Sequence, residues 1–158
     1  MIRTDKRLKL CTFLLVCNLA FIWGNSMLPA HISAAISGFV RDVVSLFFGG
    51  EGSGEPVFGE GILRKIAHFT EFACLGLLLT WRFGMMGEKK GHLFCMPLLF
   101  GMMAACMDET IQVFTPDRGP SPIDIWIDTC GVAAGITILL IGHYYTCKKH
   151  TRNLEEIK

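Results

Sequence analysis

The sequence predicts an all-α integral membrane protein: a bundle of four transmembrane helices, with a short amphipathic helix between the first and second. Three observations predict it. The 158 residues are 51% hydrophobic and only 18% charged, against about 25% charged in an ordinary soluble domain. Mean hydropathy is +0.44. The charges gather in short clusters that leave four apolar runs, at about 8–24, 62–83, 92–114 and 123–147, each able to cross the ~30 Å hydrocarbon layer as a helix. The length suits a single membrane domain, 1–158. A net charge of +1 carries no signal for nucleic acid.

The first run, Leu8 to Gly24, follows the basic residues Arg3, Lys6, Arg7 and Lys9. It is bulky and lacks a clean small-x-small cleavage site, so it reads as an uncleaved anchor rather than a signal peptide with Ala20 as its cleavage residue. Between His31 and Phe48 the pattern changes. Ile32, Ala35, Ile36, Phe39, Val40, Val43 and Phe47 recur at helical spacing, with Ser33, Ser37, Arg41 and Ser45 on the other side. That predicts an amphipathic helix over 31–48, lying on the membrane surface or capping the bundle. Glycines 49, 50, 52 and 54 then break the helix. A short loop with Glu88, Lys89 and Lys90 separates the second and third spans. The third and fourth are joined by Thr115 to Pro122, whose three prolines stiffen it.

Counting Lys and Arg sets the expected orientation. Four spans place eleven basic residues on the side of the two termini and four on the other side. By the positive-inside rule, both termini of this multi-pass chain are expected in the cytoplasm. The seven cysteines are odd in number, lie in or beside apolar runs and show no CxxC spacing. They read as packing residues rather than as a disulfide or zinc framework.

The polar residues within the spans carry the chemistry. Lys65, His68 and Glu71 fall in the first turns of the second span, Asp108, Glu109 and Gln112 in the last turns of the third, Asp124 and Asp128 at the start of the fourth, and Arg118 on the stiff loop. The expected topology places all of them at the outer end. At ~1.5 Å rise per residue, Glu71, Asp108 and Asp128 lie on the order of 10 Å below the boundary. Their helical phase points inward: His68, Phe72 and Gly76 share a face, as do Gly101, Ala105, Asp108 and Gln112, and as do Asp124, Asp128, Gly131 and Gly135. Each polar line continues a line of small residues, the mark of close helix approach in membranes.

Each of these residues also has a plain structural reading. Ser121, Pro122 and Asp124 fit a helix start, with Ser121 as N-cap and Asp124 as capping-box acid. Arg64 and Lys65 fit interfacial anchors that extend outward. His68 fits a hydrogen-bonded packing residue, Glu71 a structural bond to His68 or Lys65, and Asp108 with Arg118 an ion pair that holds the loop down. Scaffolding alone meets a difficulty: five acids (Glu71, Asp108, Glu109, Asp124, Asp128) face two expected cations, Lys65 and Arg118. A charge at the bilayer centre costs roughly 2.5–3.5 kcal/mol on insertion scales. Water, protonation, a cation or a polar ligand must therefore compensate the excess.

At these residues the chain resembles the VanZ-like family, small bacterial membrane proteins named for a glycopeptide-resistance accessory protein. The resemblance rests on Lys65-x-x-His68-Phe69, Asp108-Glu109-x-x-Gln112-x-Phe114, Arg118-x-x-Ser121-x-x-Asp124, and Gly131 with Gly135. Ser26, soon after the first span, matches a serine usual there, whereas Asp128 stands where the family usually has asparagine. The resemblance implies a place in the bacterial cytoplasmic membrane and a part in teicoplanin-type antibiotic resistance or another cell-envelope role. It implies no agreed reaction.

Three readings of the cluster stay open. In the first it is a binding cleft for membrane lipids, lipid-linked cell-wall intermediates or a teicoplanin-type antibiotic. Ser26, Lys65, Gln112, Arg118, Asp124 and Asp128 are then the substrate-binding candidates, with the cations holding anionic groups. In the second it is an enzyme acting on a lipid-linked headgroup, with His68, Glu71, Asp108 and Glu109 as catalytic candidates. No nucleophile elbow, HExxH or phosphate-cradling glycine loop accompanies them. In the third it is a small proton-coupled transporter, though four spans without a repeat make a poor carrier alone. No cofactor is expected beyond a divalent metal that the His/carboxylate cluster is equipped to hold.

Overall fold

The computed structural model describes residues 2–29, 32, 35, 60–87, 91–119 and 121–155. Four helices follow in order: α1 (Ile2–Ser26), α2 (Glu60–Met85), α3 (His92–Val113) and α4 (Pro122–Glu155), with no strand among the described residues. The amphipathic helix expected over 31–48 lies almost wholly outside the described residues. α2 closes with turn bonds from Met86 and Gly87 to the carbonyls of Phe83 and Gly84, and Gly87 takes φ 76°. Glycine reaches that left-handed conformation without steric cost and so ends a helix cleanly. α4 opens on Pro122, a position where the missing N–H would have had no helical partner anyway.

Among the described residues, three helices are long and apolar enough to cross a membrane by composition: Asp5–Ser26 within α1, His92–Val113 (α3) and Pro122–Lys149 within α4. α2 matches them in length but carries Arg64, Lys65, His68 and Glu71 in its first half. Its position accounts for this, because α2 packs against all three other helices and most extensively against α4. A helix with neighbours on several sides has inward directions to which polar side chains can turn.

Contacts at both ends of the helices set their directions. Cys11 of α1 reaches the Leu78 carbonyl while Asn25 reaches Glu71, so α1 and α2 are antiparallel. Gly131 lies against Phe69, and Gly135 against Ala73 and Leu77, so α2 and α4 run parallel. A Cβ on Gly76, Gly131 or Gly135 would strike backbone of the facing helix: the Val132, Phe69 and Ala73 carbonyls respectively. The sequence Gly131-x-x-x-Gly135 thus brings α4 to backbone distance of α2.

The apolar core takes Ile22 from α1, Phe72 and Leu75 from α2, Ala104 and Ala105 from α3, and Val132 and Ile136 from α4. One helical turn further on lies a polar layer. Ser26 follows Ile22, Asp108 follows Ala104, and His68 and Asp128 precede Phe72 and Val132, each by four residues. The outer surface is apolar, with Phe13, Val16, Met103 and Ile138 among its exposed side chains. Six of the seven cysteines depart from the packing role expected of them. None forms a disulfide, Cys11 alone is buried, and the other six sit on the outer surface. Small apolar residues are at home there too, because lipid-facing positions ask only for low polarity.

Candidate functional site

The polar layer begins with Ser26, the last residue of α1, which is fully buried. Its hydroxyl donates to Asp108 Oδ1 at 2.6 Å, and Gln112 Nε2, one turn along α3, donates to Asp108 Oδ2 at 2.9 Å. Neutral donors thus fix both oxygens of a carboxylate with no exposed surface. The last carbonyls of a helix lack intrahelical partners. Here the Ser26 carbonyl accepts from Thr115 Oγ1 at 3.0 Å and from Arg118 Nη1 at 3.5 Å. The end of α1 is thereby tied to the loop after α3.

Arg118 is aimed by a β-turn. Its amide donates to the Thr115 carbonyl at 3.3 Å, Pro116 holds the second position and Asp117 the third, at φ 59°. That arrangement requires a left-handed third residue, which Asp and Asn tolerate better than most. Arg118 is 9% exposed, and its Nε and Nη2 have no hydrogen-bond partner among the described residues. Desolvation lowers its pKa, the nearby Arg64 lowers it further, and Asp108, Glu109 and Glu71 pull it back. It still carries its charge, since a guanidinium does not deprotonate in a protein.

Two sequence expectations about cations are corrected. Arg64, read as an outward anchor, turns into the bundle and donates from Nη2 to Gln112 Oε1 at 3.1 Å, while Lys65 is the exposed one. The phase of the helix explains it: Arg64 stands four residues before His68 on the line through Phe72 and Gly76. Nor does an ion pair join Arg118 to Asp108 among the described residues. The contact to Asp108 comes from His68 Nδ1, at 3.9 Å from Oδ2.

The remaining acids each find a different environment. Glu71 Oε1 accepts from Asn25 Nδ2 at 3.2 Å rather than bonding His68 or Lys65, and its Oε2 is buried without a partner among the described residues. Glu109 Oε2 accepts the Ser121 amide at 2.7 Å. That is the bond a capping-box acid makes to an N-cap, so Glu109 of α3 takes the role expected of Asp124, which is half-buried. Asp128 is 1% exposed, and neither of its oxygens has a partner among the described residues. His68, Asp108 and Asp128 bring one ligand-type atom each within 4.8 Å of the other two.

The structure therefore gathers Ser26, His68, Glu71, Asp108, Glu109, Gln112, Arg118, Asp124 and Asp128 at one end of the bundle and leaves Lys65 outside. It adds Asn25, Arg64 and Thr115. The signal for Asn25 was its place beside Ser26 at helical spacing from Cys11, Leu15 and Ile22.

A helical bundle with an apolar outer surface and an internal polar layer at one end defines a membrane protein with a buried polar site. The chain belongs to the VanZ/LLP1 family, whose model matches residues 11–143, from α1 to near the end of the apolar part of α4. It is a VanZ-like membrane protein, of a family associated with antibiotic resistance. No curated protein and no solved structure matches the chain.

Proposed function

We propose that the chain is a binding protein of the bacterial cytoplasmic membrane. Its polar end recognises the anionic headgroup of a cell-envelope lipid, a lipid-linked cell-wall precursor or a teicoplanin-type lipoglycopeptide, and so contributes to resistance to such antibiotics. The observation that carries this reading is the Arg118 guanidinium, buried yet with two nitrogens that have no partner among the described residues. A planar fork with free donors in a desolvated place suits a phosphate or carboxylate bound through two parallel hydrogen bonds. Arg64 supplies a second cation, and Glu71, Glu109 and Asp124 offer acceptors to the hydroxyls or amines of a sugar or peptide.

An apolar groove of about 280 Å³ supports a lipid-borne ligand. It is lined by Leu19, Trp23, Leu75, Leu79, Phe100 and Met103 with Ala104 and Met107. Trp23 and Met107 stand three residues and one residue from Ser26 and Asp108, so an acyl chain in the groove leads toward the polar layer. The charge bias of eleven basic residues to four supports four passes with both termini cytoplasmic. The site then opens toward the outer leaflet, where cell-wall intermediates and antibiotic are found.

Arg118→Ala and Asp108→Ala are expected to abolish teicoplanin protection in a susceptible host at unchanged membrane abundance, with Lys65→Ala protecting as wild type. Full protection by the first two variants defeats the proposal. One geometry favours a second reading, catalysis on the headgroup: the His68 imidazole beside the Asp108 carboxylate at 3.9 Å is an acid–base arrangement. A screen of lipid products after incubating the purified protein with envelope lipids separates the two.

A further inference from the structure

His68 of α2, Asp108 of α3 and Asp128 of α4 are 7%, 0% and 1% exposed, and their ligand-type atoms lie within 4.8 Å of one another. Asp108 is held by Ser26 and Gln112. Asp128 is held by nothing: both oxygens are buried, neither has a partner among the described residues, and the carboxylate points into a space shared with an imidazole and a second carboxylate. A buried carboxylate with no hydrogen bonds is costly, and such groups persist where a counter-charge completes them.

We propose that His68, Asp108 and Asp128 form the protein half of a divalent transition-metal site of the Zn²⁺ or Mn²⁺ class. The donor set fits that class, since imidazole suits Zn²⁺ and carboxylates suit both ions. No thiolate competes, because Cys106 and Cys130 on the same helices face outward. Two carboxylates balance the charge of a divalent ion. Bonds of about 2.0–2.2 Å place tetrahedral ligand atoms about 3.4 Å apart. The triad would thus draw in by at most about 1.4 Å, a distance that side-chain rotation on three separate helices can supply. Ser26 and Gln112 already orient Asp108 as outer-shell donors orient a metal-binding carboxylate.

Three protein ligands leave a coordination position open, the arrangement of catalytic rather than structural zinc. An anionic oxygen of a headgroup would fill it; for that occupant alone, the inference rests on the headgroup reading. The metal would also reduce the excess of acids over arginines and explain why Asp128 carries a carboxylate in a position without donors.

The test uses the full chain, purified in detergent, stripped with chelator, equilibrated with ZnCl₂ or MnCl₂ alone and desalted. One equivalent of metal per chain is expected by elemental analysis, together with a higher thermal transition than in the stripped protein. Asp128→Leu, similar in size but without a ligand atom, is expected to bind at least about tenfold more weakly. Its metal-free transition should be no lower than that of wild type, because it removes a bare buried carboxylate. If Asp128→Leu does not fold, Asp128→Asn takes its place with the same expected loss. Two outcomes overturn the proposal: folded wild-type protein that retains neither ion, and a variant that retains as much metal as wild type. No lipid enters this assay, so failure of headgroup binding and failure of metal binding are read separately.

Discussion

Ser26 connects three parts of the site through one residue: its hydroxyl orients Asp108, and its carbonyl receives Thr115 and Arg118. Ser26→Ala removes a hydrogen bond to a fully buried carboxylate. Bonds to charged groups are worth about 1.5–3 kcal/mol, and unfolding titrations of the detergent-solubilised protein should show a loss of that size. Arg64 and Lys65 provide a sharper comparison, being adjacent, both basic and oppositely placed. Arg64→Ala is expected to cost about 1 kcal/mol through its lost bond to Gln112, whereas Lys65→Ala should stay within about 0.5 kcal/mol of wild type. Equal effects from the two would contradict the inward turn of Arg64.

At the scale of elements, two local geometries govern how the site is assembled. The α2–α4 contact is closed by glycines at backbone distance, so Gly135→Leu must part the helices. Overpacking of this kind costs about 1–3 kcal/mol, while Gly142→Leu, with open space around it, should be close to neutral. Unfolding midpoints of the two variants measure the difference. The turn that aims Arg118 holds Asp117 at φ 59°. A non-glycine residue pays roughly 1–2 kcal/mol there, so Asp117→Gly is expected to raise stability by up to about 1 kcal/mol and Asp117→Val to lower it. Much of this was legible in the sequence. The lines Gly101–Ala105–Asp108–Gln112 and Asp124–Asp128–Gly131–Gly135 announce inward faces through spacing alone. What spacing does not convey is which of several nearby donors meets a given acid. Glu109 and Asp124 both stand within reach of a helix start, and the fold of the 115–121 loop decides between them. Arg64 departs from its expected outward place for a related reason: a long side chain at a boundary can turn either way, and Gln112, four dozen residues distant, settles its direction.

At the scale of the whole molecule, polar residues from four helices and a loop come to one end because the helices alternate in direction, so that the end of one span meets the start of the next. Reporter fusions at each terminus, joined to a domain active only in the cytoplasm, are expected to be active at both. Activity at one terminus alone would change the number of passes, and inactivity at both would move the polar end to the inner leaflet. The centre of this arrangement is α2, the most extensively packed helix and, among the described helices, the one that composition alone does not mark as membrane-crossing. In the proposed four-pass topology its retention in the bilayer therefore depends on the helices packed around it. During synthesis, α2 leaves the ribosome before α3 and α4 exist, with only α1 available to receive it. Under the proposed four-pass topology, insertion of this segment is expected to be completed only once α3 and α4 arrive, and a truncation after residue 87 should leave α2 on the cytoplasmic side or subject to degradation rather than stably inserted.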